Sequence, residues 1–280
     1  MALELNQLVE ESVLLIKRAE KLAMVMQPEL GFFVGFSGGK DSQVLLELVK
    51  MAGVKYKAVY SVTTNDPADN VRFIRTHYPE VEFSVPYESF FQMVAKKGVP
   101  TIRRRWCCAI LKESGGIGSV VLTGVRASES SKRAKYAQVR RWKRHADESG
   151  ALDLSEMETN EFRCVGGKDK IMVYPMLRWS EQNVWDFIRH HGLPVNPCYE
   201  YRSRVGCVFC PFAKSSEIIT YCETHPKLKR AFLNAIEKYL HSKDGVSKYA
   251  SAEDLFDWWL TKDSLKVWSL KKRQLSLEFS

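Results

Sequence analysis

The chain has 280 residues, 45% of them hydrophobic and 27% charged, with a formal net charge of +9. That length buries a sizeable core as one large domain or a domain with an appendage, and the composition excludes a disordered chain. The longest apolar runs, such as Gly31–Phe36 and Val120–Leu122, are far too short to span a bilayer. The opening MALELNQLVEE carries acids where a secretory leader carries basic residues, so the expectation is a cytoplasmic protein with no membrane partner. A positive balance suits phosphates, sulfate esters or nucleic acid, and equally suits a solvated surface.

Leu5, Leu8, Val9, Ser12, Val13, Ile16 and Ala19 recur at helical spacing and predict a first helix over 3–26, ended by Pro28. Gly31–Phe36 reads as a buried strand that runs into SGGKDS and then into a helical pattern over Gln43–Met51. Tyr56–Val62 predicts a second strand, Asp69–His77 a helix, Val81–Val85 a third strand and Tyr87–Lys97 another helix. Ser119–Thr123 and Ile171–Tyr174 complete about five strands. Strands alternating with helices predict an α/β fold with a parallel, doubly wound sheet. Residues 127–170, basic and then acidic, read as a long insertion or flexible excursion. Helical patterns follow at Glu181–His191, Ser215–Thr224, Pro226–His241 and Ala252–Thr261. The predicted organisation is an N-terminal helix over 1–27, a nucleotide-binding α/β domain over 28–212 and a helical C-terminal subdomain over 213–280.

The segment Ser37-Gly38-Gly39-Lys40-Asp41-Ser42 lies between a predicted strand and a predicted helix. Its glycines let backbone N–H groups converge on an anion, and the helix N-terminus and Lys40 add positive charge. Ser37 and Ser42 offer hydroxyl donors, and Asp41 could accept a hydrogen bond or help hold Mg2+. The Walker A pattern does not fit, because Asp41 follows Gly39-Lys40. What SGGKDS resembles is the PP-loop of the adenine nucleotide α-hydrolase-like superfamily. The resemblance implies the pyrophosphate end of ATP, or the phosphosulfate of an activated sulfate, as the ligand. A polar helix cap is the alternative.

Seven cysteines include two tight pairs, Cys107-Cys108 in RRRWCCAILK and Cys207-x-x-Cys210 in RVGCVFCP. In a reducing compartment such pairs point to metal ligation more than to disulfides. Adjacent cysteines diverge, which is awkward around one tetrahedral zinc but natural at the separate corners of a cubane. A [4Fe–4S] cluster is therefore favoured over zinc, with buried metal-free thiols as the remaining alternative. Arg103, Arg104, Arg105 and Lys112 could offset the charge of a thiolate-ligated group or hold an anionic substrate. Cys198 is a substitute ligand by position, while Cys164 and Cys222 read as structural or reactive thiols.

These blocks resemble the phosphoadenosine phosphosulfate (PAPS) reductase family, the sulfonucleotide reductases and their PP-loop relatives, from about residue 30 to 212. Gly124-Val-Arg126 with Glu129-Ser130 and Arg133 is similar to a family segment whose arginines face the anionic end of the nucleotide. Tyr174–Ser180 with Val184-Trp185, Leu193–Pro197 with Tyr199, and Gly206–Cys210 match three further blocks in order. The double cysteine with Cys-x-x-Cys resembles the iron–sulfur, adenylyl-sulfate branch. Family reductases end in a glutamate–cysteine–glycine segment with the attacking thiol, whereas this sequence ends KKRQLSLEFS, and Thr63–Pro67 replaces their D-T-G. The resemblance implies an enzyme holding ATP or an adenosine phosphosulfate, with Lys40, Asp41 and Arg126 as catalytic candidates. Reductive sulfur chemistry, or adenylation-linked sulfur transfer served by an electron or sulfur donor protein, would be its reaction; ordinary thioredoxin-coupled phosphosulfate reduction is not expected. Two alternatives remain. One is a nucleic-acid sulfurtransferase using the basic stretch Lys132–Arg144 with Tyr136 and Trp142, and the other is a nucleotide- or redox-sensing module.

Overall fold

The structure is a computed structural model that describes residues 2–142, 170–242, 249–264 and 266–270. From the N-terminus the chain forms α1 (Ala2–Met26), β1 (Phe32–Phe36), α2 (Lys40–Ala52), β2 (Tyr56–Ser61), α3 (Ala68–His77) and β3 (Glu82–Ser84). It continues through α4 (Phe90–Lys97), α5 (Trp106–Leu111), β4 (Val120–Leu122), β5 (Val139–Trp142), β6 (Lys170–Val173) and α6 (Glu181–His190). Three helices follow, α7 (Ser215–Thr224), α8 (Pro226–His241) and α9 (Ala252–Thr261), and a short helical stretch at 266–270 comes after them. Among the described residues no helix is long and apolar enough to cross a membrane.

Two compact units divide the chain. The first takes Met1–Ser61, Ala68–Ser84 and Ser114–Val205 and carries a six-stranded sheet in the order β3-β2-β1-β4-β6-β5. Parallel pairing runs from β3 to β6, as the alternation of strands and helices predicts. Phe32, Val34, Val120 and Leu122 are fully buried, which is why these strands read as near-continuous apolar runs. Helix α1 belongs to this unit rather than standing apart. It buries Ile16, Ala19 and Ala23, and its Ser12 hydroxyl lies 2.9 Å from the Pro175 carbonyl and accepts the Trp179 indole N–H at 3.0 Å.

One expectation about the sheet needs correction. The sixth strand, β5, lies inside what reads in sequence as an insertion over 127–170, and it pairs antiparallel with β6 from Val139↔Val173 to Trp142↔Lys170. Only Val139 of β5 is buried; Arg140, Arg141 and Trp142 are half-buried. With one neighbour among the described residues and cationic side chains, β5 has the make-up of a protected edge strand, which apolar alternation does not reveal. Residues 143–169, the rest of that stretch, lie outside the described residues.

The second unit takes Val62–Pro67, Val85–Glu113 and Gly206–Ser280. It is therefore wider than a C-terminal helical subdomain beginning at 213. Its core is aromatic: Phe209 stacks on Phe232 at 4.1 Å between ring centroids, and Phe90, Phe256 and Trp259 pack around them. The Trp259 indole donates to the Pro100 carbonyl at 2.6 Å, so this buried ring also satisfies its polar edge. Ser89 and Gln92 form a capping box that starts α4.

Candidate functional site

Strand β1 has β2 on one side and β4 on the other, so chain connections leave in opposite directions at its C-terminal end. Such a switch point opens a crevice at the carboxyl ends of parallel strands. Ser37–Gly39 occupies that end of β1, and Gly124–Arg126 follows β4. The two loops touch: a Cβ on Gly124 would stand 2.6 Å from the Asp41 carbonyl oxygen.

The loop is held by its own side chains and by two buried asparagines. The Ser42 hydroxyl accepts the Ser37 N–H at 3.1 Å and donates to the Gly39 carbonyl at 2.8 Å. Ser37 Oγ accepts the Gly39 N–H at 3.3 Å. Asn70, on α3, donates to the Ser37 carbonyl at 3.1 Å, and Asn196 donates to the Gly38 carbonyl at 2.9 Å. The two asparagines also bond each other at 2.8 Å. Gly38 has φ +76°, a left-handed conformation that favours glycine. Among the described residues, the N–H groups of Gly38 and Asp41 meet no protein acceptor, whereas that of Lys40 donates to the Tyr199 hydroxyl at 2.9 Å.

The cations are already partnered. Buried Arg126 donates from Nε to Asp41 Oδ1 at 2.6 Å. Lys40 is buried too, with Asp41 at 3.5 Å and Glu181 at 3.3 Å, and its ammonium lies over the rings of Trp185 and Tyr199 at 5.8 and 5.7 Å. Arg133 pairs with Glu129, whose carboxylate also takes the Arg126 N–H at 2.9 Å. The structure thus brings Ser37, Gly38, Gly39, Lys40, Asp41, Ser42, Gly124 and Arg126 together, with Arg133 joined through Glu129. Sequence reasoning missed Asn70 and Glu181 as parts of this site. Asn196 and Tyr199 had a signal in the LPVNP block, but nothing local assigns their hydrogen bonds.

The thiols of Cys107, Cys108, Cys207 and Cys210 all belong to the second unit and are half-buried. Cys107 and Cys210 pack against its aromatic core. A hydrogen bond between the adjacent thiols splits their behaviour. It raises Cys107, helped by burial, and pulls Cys108 down to about 6, helped by the charges of Lys112 and Arg105. Lys112 is held above its ordinary range, its interaction with Cys207 being the largest cause. The Cys-x-x-Cys turn is clasped by the segment after β2. Val208 N–H donates to the Asn65 carbonyl at 2.7 Å, Phe209 N–H to Asn65 Oδ1 at 3.1 Å, and the Cys207 thiol to Thr63 Oγ1 at 3.4 Å.

Among the described residues, no three His, Cys, Asp or Glu side chains converge as a ready metal site. The donor chemistry nevertheless fits a thiolate-ligated group: four thiols in one compact unit, with Lys112 and Arg105 felt by Cys108. Cys198 sits in the first unit, fully buried, where its thiol accepts from Tyr201 at 3.3 Å and burial pushes its pKa up. Cys222 is buried in the core of the second unit. Cys164 lies outside the described residues.

The basic stretch from Lys132 is not an open loop in its described part. Tyr136 stacks on Tyr174 at 5.6 Å and carries the Arg140 guanidinium at 4.2 Å, while Lys170 Nζ lies 4.6 Å from the Trp142 ring centroid. Both aromatics that would stack bases are engaged within the chain.

A family model described as the phosphoadenosine phosphosulfate reductase domain matches residues 31–213. An uncharacterised protein of Methanocaldococcus jannaschii is 28% identical over 256 residues, covering 86% of this chain and 46% of that protein. A second from the same organism is matched over 56% of its length, so the chain spans about half the length of these curated relatives. An adenosine 5'-phosphosulfate reductase of Allochromatium vinosum is 26% identical over 189 residues, 61% of this chain and 64% of that protein. Among solved structures, a phosphoadenylyl-sulfate reductase from Candida auris is 17% identical, with a TM-score of 0.43 over 69% of this chain and 87% of that one. Since the family model spans well over half of the residues and takes in both the Ser37–Ser42 loop and the Cys207–Cys210 turn, the chain belongs to the phosphoadenosine phosphosulfate reductase domain family.

Proposed function

We propose that this chain is an enzyme that holds an adenine nucleotide by its phosphates on Ser37–Ser42 and performs sulfur-linked redox or transfer chemistry with the four-thiol site of its second unit. The observation that carries the reading is the loop itself: a glycine-rich turn at a sheet switch point, with the Gly38 and Asp41 N–H groups left for an anion at the start of a thirteen-residue helix. ATP and an adenosine phosphosulfate both present the required oxoanions. Arg126 and Lys40 reach the ligand only by sharing Asp41 and Glu181, so ligand phosphates would compete with those carboxylates for the two cations. Mg2+ would join through Asp41.

Cys107, Cys108, Cys207 and Cys210 would hold a [4Fe–4S] cluster, with zinc as the alternative, and the cluster would supply electron transfer or a place to hold sulfur. Lys112 then offsets thiolate charge, and Asn65 fixes the Cys-x-x-Cys turn that presents two of the ligands. The experiment is anaerobic purification with iron, zinc and acid-labile sulfide analysis, followed by calorimetry with ATP and adenosine 5'-phosphosulfate. Brown protein carrying iron and sulfide and binding one of these nucleotides supports the proposal. Protein with neither metal nor nucleotide affinity refutes it.

A further inference from the structure

The Tyr199 hydroxyl stands where an anion would be expected. It accepts the Lys40 N–H, one of the first of α2, at 2.9 Å. It also lies over the loop, because a Cβ on Gly39 would come within 3.3 Å of it. Three contacts hold the phenol there. Its ring packs edge-on against Trp185 at 5.3 Å, the Lys40 ammonium sits 5.7 Å from its ring centroid, and its backbone N–H donates to the Asn196 carbonyl at 3.0 Å. Asn196 in turn anchors the Gly38 carbonyl, so loop and phenol share one support. Burial pushes the phenol pKa above its ordinary value, which keeps the hydroxyl protonated. Its oxygen already accepts from Lys40, and among the described residues no acceptor takes its proton. A hydroxyl that accepts from a helix N-terminus and has a donor to spare passes that helix's polarity one hydrogen bond outward.

Building on the nucleotide reading above, we propose that Tyr199 is a ligand-contacting residue that donates its hydroxyl proton in a hydrogen bond to a non-bridging oxygen of the bound phosphate chain. In this arrangement the first-turn amide of Lys40 acts on the ligand through the phenol. The phosphate oxygen then sits one hydrogen-bond length further from α2 than it would against the bare N–H. The ligand class this selects is a nucleotide with at least two linked phosphate-type groups: one reaches the Gly38 and Asp41 amides while its neighbour meets Tyr199.

The test uses inorganic pyrophosphate with the full chain and its Tyr199→Phe variant, each followed by calorimetry, with thermal unfolding of the unliganded proteins alongside. The expected result is pyrophosphate affinity at least about tenfold weaker in Tyr199→Phe, the scale of one hydrogen bond to a charged group. Equal affinity in the two proteins overturns the role of Tyr199 and leaves the loop assignment standing. Failure of the unsubstituted protein to bind pyrophosphate removes the loop assignment and the Tyr199 contact together. Should Tyr199→Phe prove unfolded, 3-fluorotyrosine placed at position 199 decides. Its fluorine resonance shifts on adding pyrophosphate if the hydroxyl meets the ligand, and a resonance unmoved at saturation refutes the contact.

Discussion

Replacing Gly38 by alanine tests whether the phosphate loop and its support are one packed object. A Cβ at position 38 would fall 2.3 Å from Asn70 Oδ1 and 3.0 Å from two carbons of Ile74. Neither neighbour can yield freely. Asn70 Oδ1 accepts from Asn196 at 2.8 Å, its amide donates to Ser37 O at 3.1 Å, and Ile74 is fully buried. The backbone adds its own cost, about 1–2 kcal/mol for a side chain at φ +76°. Displacing Asn70 costs roughly 1–3 kcal/mol more through groups left unpaired in a buried site. The sum is about 3 kcal/mol, so Gly38→Ala should lower the urea midpoint of the unliganded chain as well as its nucleotide affinity. Gly39→Ala is the control. With φ −84° and a nearest neighbour at 3.3 Å, it should change stability by less than about 1 kcal/mol, yet still crowd the loop against phosphate. Urea denaturation of both variants without ligand decides the matter. If Gly38→Ala unfolds at the same urea concentration as the parent, the Asn70–Asn196 support is not what shapes the loop.

Two further outcomes are expected. The Arg126 side chain is 5% exposed and that of Asp41 25%, so Asp41→Asn strands a buried cation, whereas Arg126→Met leaves a carboxylate with access to water and with Lys40 still beside it. Asp41→Asn should therefore be the more destabilising, by about 2–3 kcal/mol against the parent, and the reverse order in urea denaturation would refute the pairing. In metal-free protein, iodoacetamide should modify Cys108 with half-maximal rate near pH 6, while Cys107 stays protonated well above the ordinary thiol value of 9.0. For Cys108, whose pKa falls on folding, the linked stability is present at high pH and is lost as pH falls through 6. For Cys107, raised on folding, it is present at low pH and lost as pH rises. Parallel rates for both thiols, rising together near pH 9, would contradict the shared proton, as mass mapping of the two sites can establish.

Much of this protein can be read from short stretches of its chain. GFFVGF running into SGGKDS is a buried strand, a glycine turn and a helix start, and β1, the loop and α2 form there. Helices at Ser215–Thr224, Pro226–His241 and Ala252–Thr261 begin and end where periodicity and Pro226 place them. Local features are legible because helical spacing, strand burial and the left-handed turn at Gly38 are each settled within a few residues.

Long-range partners are not legible in that way. Strand β5 carries Arg140 and Arg141 where a buried strand would carry apolar residues, and it exists because β6 offers a free edge. Arg126 meets Asp41 across 85 positions of chain, and Asn65 meets Phe209 across 144. Residues 85–113 gather with the C-terminal helices through shared burial around Phe209 and Phe232, and residues 62–67 join them through the Asn65 hydrogen bonds to Val208 and Phe209. Sequence alone therefore determined which chemical groups this protein owns and which short elements carry them. Tertiary structure decided which carboxylate answers each cation, and that the Lys40 amide faces a phenol. Such pairings depend on the order of strands in the sheet and on what each buried polar group must find once water is gone.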